Sequence, residues 1–431
     1  MTKRVQVVLM LTVALAMMGL ASCGHYICGA NFGNSTCTPG TVGITGNNGG
    51  SASAAFVFLA QATSGSAGRI DGYTLNTTNS TLLPTSPYTA PTTPTGDPGV
   101  GMVVAQKQFL YTGFGTTNTI DGWSISPTGS LTAVSGSPYS ALFMGSVSAA
   151  FGSQSIITNP AGTLLFFSAA SQVYVYQIGT GGVLTAVTGS PFPVSFAGNM
   201  ATDGLGKYLY ITDSAFTNHT GSVIGIGAYA IGSSCATSGG VCTLTAVTGS
   251  PFSATNFEMW KVQGDPSGKF LVGTKGLSLS VNGSDDDHLY VFSIAQPGAA
   301  APGAITLVGS PTPTTNSPFE IAVQSNTGGN LVYSVGLDDA ALAFNPAEGF
   351  ALNSSGALTQ VTGSPFTNAA MGNLVQFDQS GSLLFTYGGI ASSNGTVVFQ
   401  MQVLDVGSGG NLTQAATNLV YGGFWAATDA P

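Results

Sequence analysis

Few side chains in this sequence could do chemistry. Glu258-Met-Trp260-Lys261 places a carboxylate, an indole and an ammonium side by side, and Glu320, Asn199 and Trp425 stand at related places in a repeat described below. Gathered at one mouth, Glu258, Glu320 and Lys261 could orient a neutral sugar or a small lactone, with Trp260 or Trp425 as a stacking wall. The same residues could instead form a salt bridge and two Trp packed between structural units. Asp285-Asp286-Asp287 is the one acidic cluster. It could hold Ca²⁺, but its spacing is not that of an EF-hand loop, and a solvated loop is the other reading. No metal and no cofactor are expected. A Ser nucleophile lacks its Gly-x-Ser-x-Gly elbow, because the nearest stretch, Ser64-Gly-Ser66-Ala-Gly68, has no first Gly. His25, His219 and His288 are the three histidines available for general-base work.

The rest of the composition says what must position these groups. Charged residues are 6% of 431, against about a quarter in an ordinary soluble domain. Helices of soluble proteins need charged outer faces, so a helix-rich fold is excluded. Lys and Arg total 8, too few to neutralise many phosphates, so a general nucleic-acid binder is excluded too. With 43% of residues apolar and 10% aromatic, the chain is not disordered. A β protein rich in Gly, Ser and Thr remains.

The N-terminus predicts export. Lys3 and Arg4 precede an apolar run from Val5 to Leu20, as in a secretory signal. Leu20-Ala21-Ser22-Cys23 resembles the lipobox of bacterial lipoproteins, which makes residues 1–22 the signal and Cys23 the acylated N-terminus. An ordinary signal cut nearby is the competing reading. Gly24 stands where an Asp would favour inner-membrane retention, so the outer membrane of the cell envelope is the expected location. Loss of Lys3 and Arg4 leaves six basic residues against 17 acidic ones, a net charge of −11. Acylation of Cys23 leaves four cysteines of the five, in two local pairs, and the disulfides Cys28–Cys37 and Cys235–Cys242 are expected. Residues 23–53, with Thr38-Pro-Gly and Asn47-Asn-Gly-Gly-Ser, read as a flexible tether.

From residue 54 to 431 one phrase recurs. It is Leu131-Thr-Ala-Val-Ser-Gly-Ser-Pro-Tyr139, then Leu184-Thr-Ala-Val-Thr-Gly-Ser-Pro-Phe192 and Leu244-Thr-Ala-Val-Thr-Gly-Ser-Pro-Phe252. Related copies begin at Ile305 and Leu358, with shortened ones at Leu82 and Leu412. The repeat prolines 87, 138, 191, 251, 311 and 365 are spaced by 51, 53, 60, 60 and 54 residues, and Leu358 to Leu412 adds another 54, which makes seven units. Each unit also carries an Asx-x-x-Gly turn, such as Asn159-Pro-Ala-Gly162 or Asp265-Pro-Ser-Gly268, before an apolar strand. Four strands per unit and a period of this length predict an all-β, seven-bladed β-propeller. The first unit lacks an inner strand, and the C-terminal segment Gly423-Phe-Trp-Ala-Ala-Thr-Asp-Ala-Pro431 has the pattern of one. Residues from about Gly422 are therefore predicted to complete the first blade and close the ring.

The strand Leu209-Tyr-Ile-Thr-Asp213, its looser copies Leu110-Tyr-Thr and Leu331-Val-Tyr, the Asx-x-x-Gly turn and the terminal Gly-Ser-Pro-Phe together resemble the lactonase-type seven-bladed propellers. These are the 6-phosphogluconolactonase-like proteins with YVTN repeats. The resemblance implies the fold and a possible lactone hydrolysis. Against a phosphorylated substrate stand export and a single Arg after the signal, Arg69. Two functions are expected from different classes. One is a lipid-anchored binding or scaffold module for a protein or glycan partner, acting as a monomer. The other is a lactonase-like hydrolase acting on an extracytoplasmic lactone.

Overall fold

A computed structural model describes residues 55–63, 66–76, 81–84, 91–95, 101–114, 117–140, 156–169, 171–196, 198–212, 225–253, 257–275, 286–315, 317–338, 343–344, 346–367, 374–378, 380–391, 397–419 and 425–428. The signal, Cys23, the tether with Cys28 and Cys37, His25, His219 and Asp285 lie outside these residues.

The chain forms a seven-bladed β-propeller. Each blade is an antiparallel sheet of four strands, in chain order in blades two to seven, and five blades carry a short extra strand. Only two 3-10 turns, Thr180–Gly182 and Ser233–Ala236, interrupt the strands among the described residues. The inner strands are Met102–Ala105 in blade two, Ile156–Thr158 in three, Met200–Thr202 in four, Lys261–Gly264 in five, Ser317–Asn326 in six and Leu374–Phe377 in seven. Blade one takes its inner strand from the other end of the chain. Trp425–Thr428 pairs antiparallel with Val57–Ala60, so the ring closes as the sequence predicts.

Inner strands start on one face, here called upper, and turn into the second strand on the other, lower face. Third strands run back down, so their turns into the fourth strand also lie on the lower face. The core lies between blades. Phe56, Phe58 and Ile70 of blade one pack on Leu110, Phe114 and Trp123 of blade two. On the other side, Val57 and Leu75 meet Phe385, Met401 and Val403 of blade seven. A sheet covered on both faces needs apolar residues at every position. The second strands Phe109–Phe114, Leu164–Ala169, Tyr208–Thr212 and Phe270–Thr274 are accordingly buried throughout.

The repeated motifs prove to be fasteners. In the Asx turns, one side-chain oxygen caps two amides of the following strand, as Asp265 Oδ1 does for Lys269 (2.9 Å) and Phe270 (2.7 Å). The turn glycine there, Gly268, has φ +70°, open only to glycine at little cost. Blade six departs from this pattern. Its inner strand runs straight to Asn326 and pairs Asn326 with Gly329, so the hairpin is tighter than the sequence pattern suggests. The Gly-Ser-Pro phrase splits the fourth strand. Ser137, Ser190, Ser250 and Ser364 each accept the amide of a third-strand residue through Oγ, at 2.9 Å from Gly122, Val175 and Ala228 and 3.0 Å from Gly349. The following Pro has no amide to give, and its Ser-Pro bond is cis in all four. Tyrosines of the second strands reach across blades. Tyr111 donates to the Gly182 carbonyl (2.6 Å), Tyr210 to Gly303 (3.0 Å) and Tyr333 to Gly410.

Candidate functional site

The inner strands bring some of the sequence candidates together. Asn199 and Lys261 sit at matching places, each opposite the last Thr of its second strand, Thr212 and Thr274. Asn199 donates to the Trp260 carbonyl of the next blade (2.7 Å), and Thr212 bonds the same oxygen (2.8 Å). Thr274 repeats that contact one blade on, to the Pro318 carbonyl. Lys261 Nζ is ion-paired with Glu320 Oε2 of blade six, with Lys261 2% exposed and Glu320 fully buried. Burial raises the Glu320 carboxyl, and the Lys261 charge acts against that rise. The second oxygen, Oε1, has no partner among the described residues. Trp260 is buried, Glu258 two residues earlier is exposed, and Trp425 takes its place in backbone pairing opposite Ala60. Asn199, Trp260, Lys261 and Glu320 thus run through the wall across three blades. Glu258 is not part of that chain.

The chemistry-bearing cluster that reaches solvent lies beside it, on the upper edge of blades five and six. Asp286, His288 and Tyr290 occupy alternate positions entering the third strand of blade five, His288–Ile294, so their side chains share one face. Asp286 Oδ1 lies 2.9 Å from His288 Nδ1, and Asp286 Oδ2 accepts from Tyr290 OH (2.5 Å) and from Lys275 Nζ (3.0 Å). The Lys275 ammonium also stands 4.9 Å from the centre of the Tyr290 ring. Burial alone would raise the Asp286 carboxyl. The hydrogen bonds from Tyr290, Lys275 and His288 and the Lys275 charge outweigh it, so Asp286 ends below the ordinary carboxylate value. For Lys275, burial acts downward but is overcome by Tyr290 and Asp286, leaving it raised and cationic. Burial raises Tyr290, and the bonded Asp286 raises it further. The His288 side chain is 44% exposed, and nothing else described bonds its ring.

Asp287, the next residue, turns toward blade six, where Ser317 Oγ donates to it (2.9 Å). Glu348 of blade six accepts the Thr315 amide (2.7 Å) and is raised by burial, with Asp287 adding to the rise. Asp286, half-buried, and Asp287, exposed, are thus hydrogen-bonded within the fold while facing solvent. The strand start sets this: Asp286 meets donors of its own blade, and Asp287 meets Ser317 of the next.

Lys275, Tyr290 and Glu348 were not singled out from the sequence. A signal was present in Asp286-Asp-His288-Leu-Tyr290, whose polar groups alternate with period two. The pairing of Cys235 with Cys242 is present, with S–S 2.04 Å, in a lower-face loop of blade four. Gln177 of blade three donates to the Cys235 carbonyl (2.8 Å) and so ties that loop to its neighbour. A cavity of about 430 Å³ opens elsewhere on the lower face, between turns of blades two and three, lined by Gln106, Lys107, Thr158 and Asn159 among others. Its amide side chains are already engaged, Gln106 with the Gly162 carbonyl (2.9 Å) and Asn159 with Thr163 (3.0 Å).

No family model and no curated protein matches the chain. Solved structures do. A candidate 6-phosphogluconolactonase from Bacteroides fragilis is similar with a TM-score of 0.59 and 16% identity, over 89% of this chain and 99% of that one. A second such candidate, from Bacteroides uniformis, has a TM-score of 0.58 and 17% identity over 88% of this chain and 100% of its own. The periplasmic gluconolactonase of Pseudomonas aeruginosa has a TM-score of 0.54 and 14% identity over 85% and 97%. At these identities the likeness is one of fold.

Proposed function

We propose that this chain is an envelope-anchored propeller hydrolase that opens an unphosphorylated sugar lactone at the upper edge of blades five and six. One observation carries the reading: Asp286 holds the exposed His288 ring by Nδ1 at 2.9 Å, beside a cation and a phenol. In that arrangement Nδ1–H donates to Asp286 and leaves the Nε2 lone pair free to act as base. Water attacks the lactone carbonyl carbon as Nε2 takes its proton. The ring C–O bond then breaks, and the departing alkoxide recovers a proton from the imidazolium, giving the hydroxy acid. Lys275 is the cation at hand for the oxyanion. The gluconolactonase named among the similar structures agrees with this class of substrate. A phosphorylated lactone is disfavoured, because one ammonium already shared with Asp286 is a poor phosphate cradle.

A noncatalytic binding module is the second reading. It is favoured by the burial of Lys261, Glu320 and Asn199, which take no part in any open site. The full chain assayed by pH-stat against a panel of unphosphorylated aldonolactones separates the two. Turnover that His288→Gln abolishes supports the hydrolase. A parent protein with no rate above buffer on every lactone would remove it and leave the binding module.

A further inference from the structure

The lower face has a composition unlike the rest of the molecule. Lys107, Lys207 and Lys269 are all exposed, and each sits in a hairpin from first to second strand, in blades two, four and five. They are three of the six basic residues that follow the signal. The hairpins touch one another around the ring. Gln106 bonds the Gly162 carbonyl, a side chain at Gly206 would meet Pro160, and one at Gly268 would meet Leu205. Leu205 (50% exposed) and Val241 (63%) are the large apolar residues exposed among the described residues, and both lie on this face of blade four. Four described carboxylates share this face with the three lysines, and the Lys207 charge acts on Asp203 of its own turn. Asp203, Asp265 and Asp378 are buried with their carboxylates on turn amides, and Asp405 is the exposed one described. Ala55, the first described residue, also enters at this face, since its strand starts beyond the end of Trp425–Thr428. The opposite edge carries Glu258, Asp286, Asp287 and a buried Glu348 against the Lys275 ammonium.

We infer that the lower face docks on the headgroups of an anionic phospholipid bilayer and holds the upper edge away from it. Exposed Lys beside exposed Leu and Val is the chemistry of a bilayer interface: ammonium groups meet phosphates, and aliphatic groups enter the acyl boundary. The same negative surface repels the acidic upper edge. Attachment rests on the acylation reading of Cys23; the choice of face does not.

The test uses the full-length protein in three states: vesicles of phosphatidylethanolamine and phosphatidylglycerol, vesicles of phosphatidylcholine, and detergent. Lysines are acylated with a membrane-impermeant reagent and quantified by peptide mass spectrometry, each compared with itself across the states. Labelling of Lys107, Lys207 and Lys269 is expected to fall about fivefold in the anionic vesicles relative to detergent, with Lys275 unchanged. Leu205→Ser with Val241→Ser, both at exposed sites, should restore part of the labelling. Protection of Lys275 instead, equal protection of all four, or no change in any of them would overturn the docking face. Absence of a lipid adduct on Cys23 would refute the anchor alone. In that case the unlipidated protein is added to the same vesicles, and failure of phosphatidylglycerol to protect the three lysines overturns the face.

Discussion

Lys261 of blade five and Glu320 of blade six meet as an ion pair closed inside the wall, each shut off from solvent. A buried charge left without its partner is costly, so Lys261→Met is expected to lower stability by about 3–5 kcal/mol. The double variant Lys261→Met with Glu320→Leu should recover most of the loss. Urea unfolding of the three proteins checks this. A single variant as stable as the parent would show that Glu320 is solvated.

Stability should rise on mild acidification. Glu320 and Glu348 are raised from 4.5, and Asp71, Asp121 and Asp203 from 3.8, burial being the largest cause in each. A raised carboxyl binds its proton more tightly in the folded state, so its contribution is present below the unfolded value and lost as pH rises through the folded one. Asp286, lowered from 3.8, has the opposite sign, and its contribution disappears only as pH falls below that value. The unfolding temperature is therefore expected to be higher near pH 5 than near pH 7.5. A monotonic rise toward neutral pH would contradict the assignment.

Asp286→Asn should cut kcat by about 10²–10⁴ with little change in KM, because the ring loses the acceptor that fixes its tautomer. Glu258→Gln, at an exposed residue outside the cluster, should leave both constants near the parent's. Equal losses in the two variants would place the reaction elsewhere.

Removing the chain after Leu419 deletes the inner strand of blade one and opens the ring. We expect a large drop in unfolding temperature and new protease cuts in residues 55–84, whereas removing residues 24–50 should leave both near the parent's. Equal tolerance of the two deletions would mean that the Trp425–Thr428 pairing is dispensable.

The fold was readable because it is periodic. The spacing of Gly-Ser-Pro gave the number of blades, and the absent first strand together with the surplus last one gave the closure. The motifs of the family resemblance turned out to be structural: Tyr210 bonds Gly303, Asp265 caps its turn, and Ser250 holds Ala228. Motif counting therefore points toward the scaffold. The candidate site was less legible. Glu258 and Lys261 are close in sequence yet differ in exposure, because the strand start between them turns one outward and one into the wall. Lys275 and Tyr290 come together only through pairing of the second and third strands of blade five, and Glu348 joins from the next blade. Such contacts across strands leave no local trace beyond the alternation at Asp286, His288 and Tyr290.

The pairing of Trp425–Thr428 with Val57–Ala60 also sets an order in time. Synthesis delivers the outer three strands of blade one before any other blade and its inner strand after all six. Through that interval the second strand of blade one presents an unpaired edge, the kind of edge on which chains join end to end. A nascent chain of this protein is thus an open arc with a sticky first blade. Its protection from self-association has to come from whatever accompanies it until the last strand arrives.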